Sequence, residues 1–385
     1  MIVAFIVSGL GALPEQTPAS LGAKSSSEFE FPDGPSSIAR RMLSRLLRRF
    51  VWAPFEAACR ILPLWPFRVT IVEVEEGVLL LRTDNAIVRA LGRFAGGYDY
   101  ACSYVIDGAL LVDTSFPWAR RSLARAFVQL ELKKTLRWAV NTHYHEDHTG
   151  NNDLVLEQTS ARVVAHRDAV NAIRYPAAVK WYRRFLFGPG VASRVEPAPT
   201  QLSTARFRFD VLDMPGHCPG HLCLFERDRG WLFAGDLYVS AELDSQLDDA
   251  DGPAWIASLE RAIACRPSAL FDAHGTVILG AEAVASALTR KREMLVAIGA
   301  EAVRVASEGP KPIESITRTV FRRGGVIEAV SLHEGWMSLL TASDFSRSNL
   351  VASFVKRMPT PEPAAAPAET IAAITEFESR SPPPY

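Results

Sequence analysis

The chain has 385 residues, a hydrophobic fraction of 48% and a net charge of −1 at pH 7. This length exceeds that of a typical single domain, and the apolar content allows a substantial buried core. The near-neutral charge gives no chain-wide basic character, which argues against nucleic acid as a partner. The 5 cysteines are an odd number without tight spacing, which argues against a disulfide framework.

The first 66 residues differ in composition from the rest of the chain. Met1–Leu13 is apolar but too short to span a bilayer, and no positive charge precedes it, so a cleaved leader and an over-long start both stay open. Residues 20–38 are rich in Ser, Gly and Pro and predict a linker. Residues 40–54 interleave arginines with large apolar side chains, which predicts a basic amphipathic helix. That helix either lies on an anionic membrane surface or packs on the next domain. We expect a cytoplasmic protein, and one that binds the membrane periphery if the helix lies on that surface.

Strand and helix signals alternate after residue 66. Val69–Arg82 and Ala101–Val112 are strand-like apolar runs, and the Asp-Gly pair at 107–108 predicts a hairpin turn within the second. Apolar residues recur at spacings of three and four in Ala119–Leu130 and Ala254–Ala264, which predicts helices. Two sheets held between helices fit this order of elements.

The segment Thr-His-Tyr-His-Glu-Asp-His-Thr-Gly at 142–150 concentrates potential metal ligands. The preceding run Leu136–Thr142 predicts a buried strand that delivers this loop to a sheet edge. Imidazole together with carboxylate suits zinc, iron and related transition metals. The candidate ligands are His143, His145, Asp147 and His148.

Three later strands are each followed closely by a further candidate ligand. Unrelated surface histidines would not fall repeatedly at such junctions, so we expect these side chains to join the same site. The strands are Phe207–Met214, Trp231–Ala234 and Ala269–Ala273, and the ligands are His217, Asp236 and His274.

Residues 174–190 form a basic and aromatic insert that ends in Gly-Pro-Gly. Beside a metal cleft, such an insert is either a lid over an acyl chain or an anionic substrate, or a packed surface helix. If the insert is a lid, its aromatic residues would contact the apolar part of a substrate and its basic residues would contact an anionic group. These residues are Trp181, Tyr182, Phe185 and Phe187, and Lys180, Arg183 and Arg184.

The region beyond the last candidate ligand is mostly helical in pattern. Ala281–Ser307 predicts one long helix and Pro310–Phe321 a shorter one. Residues 358–385 are rich in Pro and Ala with few large apolar side chains, which predicts disorder. The predicted organisation is a leader with a basic helix at 1–66, a catalytic domain at 67–280, a helical accessory domain at 281–357 and a disordered tail at 358–385.

Residues 67–280 resemble the metallo-β-lactamase superfamily. Its signature is His-x-His-x-Asp-His followed by single His, Asp and His residues, and the seven candidate ligands match it in order and in flanking sequence. The resemblance implies an αββα sandwich with an α/β fold and two divalent metal ions, zinc with iron or manganese as alternatives. It also implies that Asp236 bridges the two metals. One metal would take His143, His145 and His217, and the other Asp147, His148 and His274.

Two short segments are similar to the glyoxalase II and lactonase branches of this superfamily. They are the Pro-Gly-His-Cys-Pro-Gly-His stretch at 215–221 and the Gly-Asp-Leu stretch at 235–237. Since the best-known lactamases carry cysteine where Asp236 stands, the resemblance argues against β-lactam cleavage.

Three residues are candidates for support around the metals. Asp113 follows a strand and is similar to the family's Asp-Thr-Gly segment, so it either orients a ligating histidine or is an ordinary turn carboxylate. His221 is expected to support the ligands or the fold. Tyr238 either donates its hydroxyl to the developing oxyanion or is satisfied elsewhere.

The chemistry that the resemblance implies is hydrolysis of a small ester, thioester or lactone by a metal-bridging hydroxide. Asp147 would then pass a proton to the leaving group. Two other functions stay open on the same fold: a phosphodiesterase or nuclease using the same metal pair, and a mononuclear iron dioxygenase acting on a thiol derivative. Because all seven ligand positions are filled, the sequence favours two metals.

Overall fold

The computed structural model describes residues 66–86, 89, 100–240, 245–321, 341 and 343–356. Of the predicted leader region at 1–66, residues 1–65 with the linker and the basic helix lie outside the described residues, as does the tail at 358–385. The domain boundaries stay predictions.

The first sheet has seven strands that follow one another in sequence order from edge to edge. The first four pair antiparallel, whereas β4 to β7 run parallel, so the residues that follow β4 and β5 leave the same edge of the sheet. The strands are β1 (Arg68–Glu75), β2 (Val78–Asp84), β3 (Tyr100–Ile106), β4 (Leu110–Val112), β5 (Trp138–Asn141), β6 (Arg162–Ala165) and β7 (Glu196–Pro197).

The second sheet has six strands, in the order β13-β12-β11-β10-β9-β8. Strands β11 and β12 run parallel, which sends the loops that carry Asp236 and His274 out of one edge. The strands are β8 (Gln201–Ser203), β9 (Arg208–Asp213), β10 (Leu222–Glu226), β11 (Trp231–Gly235), β12 (Ala269–Asp272) and β13 (Val277–Leu279).

Helices cover the outer faces of both sheets. Helices α1, α2, α4 and α5 share an apolar cluster with the first sheet, and α7 to α10 share one with the second. The helices are α1 (Arg120–Gln129), α2 (Leu132–Thr135), α3 (Glu146–Thr149), α4 (Asn152–Gln158), α5 (Val170–Arg174), α6 (Trp181–Leu186), α7 (Gly252–Ala264), α8 (Ala281–Ser307), α9 (Ile313–Val320) and α10 (Arg347–Val355), with a 3₁₀ turn at Pro117–Ala119.

A third apolar cluster fills the space between the two sheets. On β3, Tyr104 and Ile106 point into this cluster whereas Val105 points to the helices, as the alternation of side chains along a strand requires. The rings of Phe233 and Phe271 stack here with centroids 4.7 Å apart. The predicted four-layer αββα sandwich is thus confirmed.

Several predicted elements agree closely with the structure. The long helix begins and ends at the predicted residues, Ala281 and Ser307. The hairpin turn at Asp107 and Gly108 has φ values of 54° and 63°, as an Asp-Gly turn requires. The run at 69–82 differs, because a turn at Gly77 with φ of 80° splits it into β1 and β2. Within the described residues, every helix is too short or too polar to cross a membrane.

Candidate metal centre

The candidate ligands lie where the two sheets are joined by backbone hydrogen bonds. The amide of Leu222 donates to the carbonyl of Thr142 (2.8 Å), and the amide of Cys102 donates to that of Ala273 (2.7 Å). Each bond connects one sheet to the other beside a ligand-bearing loop. The edge predicted to carry the site therefore has a fixed backbone.

The loop after β5 bears four candidate ligands. His143 and His145 stand before the single-turn helix α3, and Asp147 and His148 stand on it. His145 has extended backbone geometry and occupies the N-cap position of α3. This change from extended to helical backbone lets neighbouring side chains turn toward one region.

Three histidines form the first half of the site. The Nε2 atom of His143 lies 2.9 Å from Nδ1 of His145, and Nε2 of His217 lies 3.2 Å from the same Nδ1. Burial lowers the pKa of His217 to about 4, and burial with the charge on His148 lowers the pKa of His143 well below its usual value. Neutral imidazoles with converging nitrogens are the arrangement that a transition metal needs.

The second half combines one carboxylate with two histidines. Asp147 Oδ2 lies 3.5 Å from His148 Nε2 and 3.9 Å from His274 Nε2. One ligand atom from each of the three residues falls within 4.8 Å of the others, so they form a group able to hold a metal.

Asp236 stands between the two halves. Its Oδ2 lies 3.5 Å from His217 Nε2 and 3.3 Å from His274 Nε2, and its Oδ1 lies 3.6 Å from His148 Nε2. Burial opposes charge on His274, but the carboxylate of Asp236 outweighs it and raises the pKa of His274 to about 9.

The polar atoms at this centre fit a bound cation. His148 Nε2 and Asp236 Oδ1 are buried and have no hydrogen-bond partner within the described residues. Buried polar atoms without partners are costly, and a divalent ion would satisfy both. The donor set of imidazole and carboxylate is one that zinc, iron and manganese accept.

Asp113 lies behind His148. Its Oδ2 is 2.9 Å from Nδ1 of His148, and its two oxygens also accept from the amide (2.7 Å) and the hydroxyl (2.8 Å) of Thr142. Asp113 takes this place with φ of 60°, a left-handed conformation that is costly for a residue with a Cβ atom. The contacts are those of a carboxylate that orients a ligating histidine.

His221 contacts the backbone of a candidate ligand, whereas Tyr238 belongs to the apolar core. His221 Nε2 accepts from the amide of Asp236 at 3.0 Å, so this ring holds the backbone of the central carboxylate. Tyr238 is buried in the apolar cluster under the second sheet.

Sequence reasoning missed Asp249, which contacts the other side of His145. Asp249 Oδ2 lies 2.9 Å from His145 Nε2 and accepts from the hydroxyl of Tyr144 at 2.5 Å. Burial alone would raise the pKa of Asp249, but the contact with His145 holds it below its usual value. The one sequence signal was the acidic stretch Leu-Asp-Asp-Ala-Asp at 247–251, which no strand directly precedes.

The insert at 174–190 contributes the short helix α6 beside this centre. The guanidinium of Arg183 binds Glu146 through two hydrogen bonds of 2.6 and 2.5 Å, and Glu146 lies in the metal loop itself. The hydroxyl of Tyr182 donates to Asp344 at 2.8 Å. Two side chains that the lid hypothesis assigned to the substrate thus bind other parts of the chain.

Cys218 is buried beside the first half of the site. Its sulfur, with one nitrogen each of His143 and His145, forms a further group with ligand atoms within 4.8 Å. Burial raises the pKa of the Cys218 thiol well above its usual value.

Sequence comparison finds relatives that match about a third of this chain. The chain is 30% identical to a hydroxyacylglutathione hydrolase of Nitrosococcus oceani over 128 residues, which are 33% of this chain and 43% of that protein. It is 26% identical to the acyl-coenzyme A thioesterase MBLAC2 of Gallus gallus over 136 residues, covering 32% of this chain and 49% of that one. The chain therefore spans less than half the length of these curated relatives.

Structural comparison agrees on the fold. A metallo-beta-lactamase family protein from Thermus thermophilus superposes with a TM-score of 0.51 at 19% identity, covering 70% of this chain and 96% of that one. The family model of the Metallo-beta-lactamase superfamily matches residues 97–274, which contain all seven candidate ligands. The part of the chain that carries the candidate ligands therefore matches the metallo-beta-lactamase superfamily.

Proposed function

We propose that this protein is a hydrolase that binds two divalent metal ions and cleaves a small thioester, with esters and lactones as related substrates. The observation that carries the proposal is the position of Asp236, whose two oxygens lie within 3.6 Å of ligand nitrogens from both halves of the site. A single carboxylate shared in this way supports two ions rather than one. Zinc is the first candidate, with iron or manganese as alternatives.

His143, His145 and His217 would hold one ion, Asp147, His148 and His274 the other, and Asp236 would contact both. When bound, such ions make water nucleophilic at neutral pH and polarise the carbonyl under attack. The burial of the histidines keeps bulk water away from the ligand nitrogens.

Asp147 is suited to move a proton. Its side chain is 21% exposed, whereas that of Asp236 is 8% exposed, so Asp147 is the carboxylate that a substrate reaches more easily. Burial opposes its charge, but the contact with His148 outweighs burial and holds the pKa of Asp147 below its usual value, so the carboxylate is ionised at neutral pH. Asp147 would accept a proton from the attacking water and return it to the leaving group.

The thioester is favoured by the relatives. The relatives include a hydroxyacylglutathione hydrolase and an acyl-coenzyme A thioesterase, and acylglutathione and acyl-coenzyme A are both thioesters. The aspartate at position 236, where well-known lactamases carry cysteine, argues against β-lactam cleavage.

The test combines metal analysis with a substrate panel. Protein purified without chelators is expected to contain two transition-metal ions per chain and to cleave acyl thioesters faster than lactones or simple esters. Selective turnover of phosphodiesters would favour the phosphodiesterase alternative. A single iron with oxygen consumption on a thiol substrate would favour the dioxygenase alternative.

A further inference from the structure

Asp249 lies outside the seven ligand positions, in the segment that precedes α7. Its side chain is 22% exposed, and a single oxygen, Oδ2, meets both His145 Nε2 at 2.9 Å and the Tyr144 hydroxyl at 2.5 Å. Tyr144 and His145 are neighbours in the metal loop. One carboxylate therefore binds two successive side chains of that loop.

This contact decides where the proton of His145 lies. A carboxylate only accepts hydrogen bonds, so Nε2 of His145 must carry the hydrogen that Asp249 receives. In the neutral ring, Nδ1 then has a free lone pair. That lone pair is on the side where Nε2 of His143 lies 2.9 Å away and Nε2 of His217 lies 3.2 Å away.

The geometry matches that on the opposite side of the site. Asp113 contacts Nδ1 of His148 at 2.9 Å and leaves Nε2 of that ring to face Asp147 and Asp236. Asp249 contacts Nε2 of His145 and leaves Nδ1 for the three-histidine half. Each half of the site thus has one histidine that contacts its own carboxylate. Asp113 follows β4 of the first sheet, whereas Asp249 lies in the segment before α7, which packs on the second sheet.

The segment that carries Asp249 is fixed from two directions. The amide of Asp251 donates to the carbonyl of Gly216 at 2.8 Å, and Gly216 directly precedes the candidate ligand His217. Gln246 exchanges two backbone hydrogen bonds with Ser346, at 3.0 and 3.1 Å. These bonds fix the position of the Asp249 segment relative to the turn that carries His217, the third histidine of the same half.

We propose that Asp249 is a positioning residue that fixes the tautomer and ring orientation of His145 and so sets the metal affinity of the three-histidine half. The inference rests on the proposed two-metal function. Carboxylates that orient a ligating histidine typically change metal affinity about 10- to 100-fold when removed.

The experiment compares three variants by calorimetric metal titration and by the absorption spectrum of the cobalt(II)-loaded protein. In Asp249→Ala, one equivalent of metal should bind about 10- to 100-fold more weakly while the other keeps its affinity. Asp249→Asn keeps an acceptor of the same size without the charge, so its loss should be smaller. Tyr144→Phe removes the other donor to Asp249 and leaves the contact with His145, so both equivalents should keep the wild-type affinity.

Thermal unfolding of the metal-free proteins separates positioning from general stability. Selective weakening of one equivalent, with an unchanged melting temperature of the metal-free protein, supports the proposal. Unchanged affinity for both equivalents in Asp249→Ala, or equal weakening of both, would overturn it. If Asp249→Ala does not fold, Asp249→Asn decides, and wild-type affinity for both equivalents in that variant overturns the proposal.

The wild-type titration tests the underlying function separately. Two equivalents in the wild type, with no change in the variants, would reject the role of Asp249 alone. A wild-type protein that binds no divalent ion would reject the two-metal function, and the role of Asp249 with it.

Discussion

The metal loop at 142–150 and the insert at 174–190 differ in how their side chains are held. In the loop, buried polar groups contact one another over short sequence distances, as when Asn141 Nδ2 donates to the carbonyl of His148 at 2.9 Å. In the insert, α6 has no buried residue, and two of its side chains reach distant acidic partners, Glu146 and Asp344. Contacts within the loop therefore contribute to its geometry together with distant carboxylates such as Asp113 and Asp249, whereas these two side chains of the insert are held by other parts of the chain.

The largest effect is expected from Asp236→Ala, which removes the carboxylate shared by both halves of the loop-based site. Loss of the metals forfeits several kcal/mol of transition-state stabilisation. At about 1.4 kcal/mol for each factor of ten, turnover should fall by about a thousandfold or more. Metal content and kcat/KM measure this effect, and circular dichroism should report a retained fold because the apolar core is untouched. A fully active variant would refute the two-metal mechanism.

Arg183→Ala tests whether the insert is tied to the metal loop. Arg183 and Glu146 are 15% and 4% exposed in their side chains, so the substitution leaves a buried carboxylate without its cation. Removing one partner of a buried ion pair costs about 3–5 kcal/mol. We expect a melting temperature lower by roughly 6–20 °C, at about 2–4 °C for each kcal/mol in a protein of this size class.

Two controls accompany the Arg183 variant. The double variant Glu146→Ala with Arg183→Ala should recover part of the stability, because the unpaired charge is gone. Lys180→Ala, at an exposed position of the same insert, should change stability by less than about 0.5 kcal/mol. An Arg183→Ala protein as stable as the Lys180→Ala protein would show that the ion pair does not tie the two regions together.

Gly216→Ala tests the turn that brings His217 to the loop. Gly216 has φ of 140°, and a Cβ atom there would come within 2.2 Å of the backbone of Trp255. Gly309 has a similar φ of 131° with nothing within 4 Å, so Gly309→Ala measures the cost of the backbone conformation alone. We expect Gly216→Ala to be less stable than Gly309→Ala by about 1–3 kcal/mol, the usual cost of overpacking. It should also lose metal, and equal stability of the two variants would contradict the clash.

The candidate ligands could be predicted from the sequence because histidine and aspartate at strand ends form a rare local pattern. Asp113 was found in the same way, since it follows β4 directly and the parallel pairing with β5 places it beside Thr142. Among the described residues, no strand directly precedes Asp249, which reaches His145 from 104 positions away. Its role depends on how α7 meets the second sheet, which no local pattern encodes.

The contacts of the insert at 174–190 were also beyond what a local sequence pattern could predict. Its composition left both a lid and a packed surface helix open, because composition could not indicate which of its basic and aromatic side chains pair within the protein. The contact of Tyr182 with Asp344 joins residues 162 positions apart. Lys180 and Trp181, which are exposed, remain available for the predicted substrate contact.

The smallest effect is expected from Trp181→Ala, which tests what remains of the lid hypothesis. Trp181 is 55% exposed, so its loss should change the free energy of unfolding by less than about 0.5 kcal/mol. If the ring contacts the acyl chain, the KM for long-chain thioesters should rise several-fold while kcat stays constant, because the lost contact is the same in the ground and transition states. Short-chain thioesters should show no change, and Tyr175→Ala, at another exposed aromatic position of the same insert, is the control for a general effect on the insert. An unchanged KM for every chain length would leave α6 as a surface helix held by Arg183 and Tyr182, without a part in substrate binding.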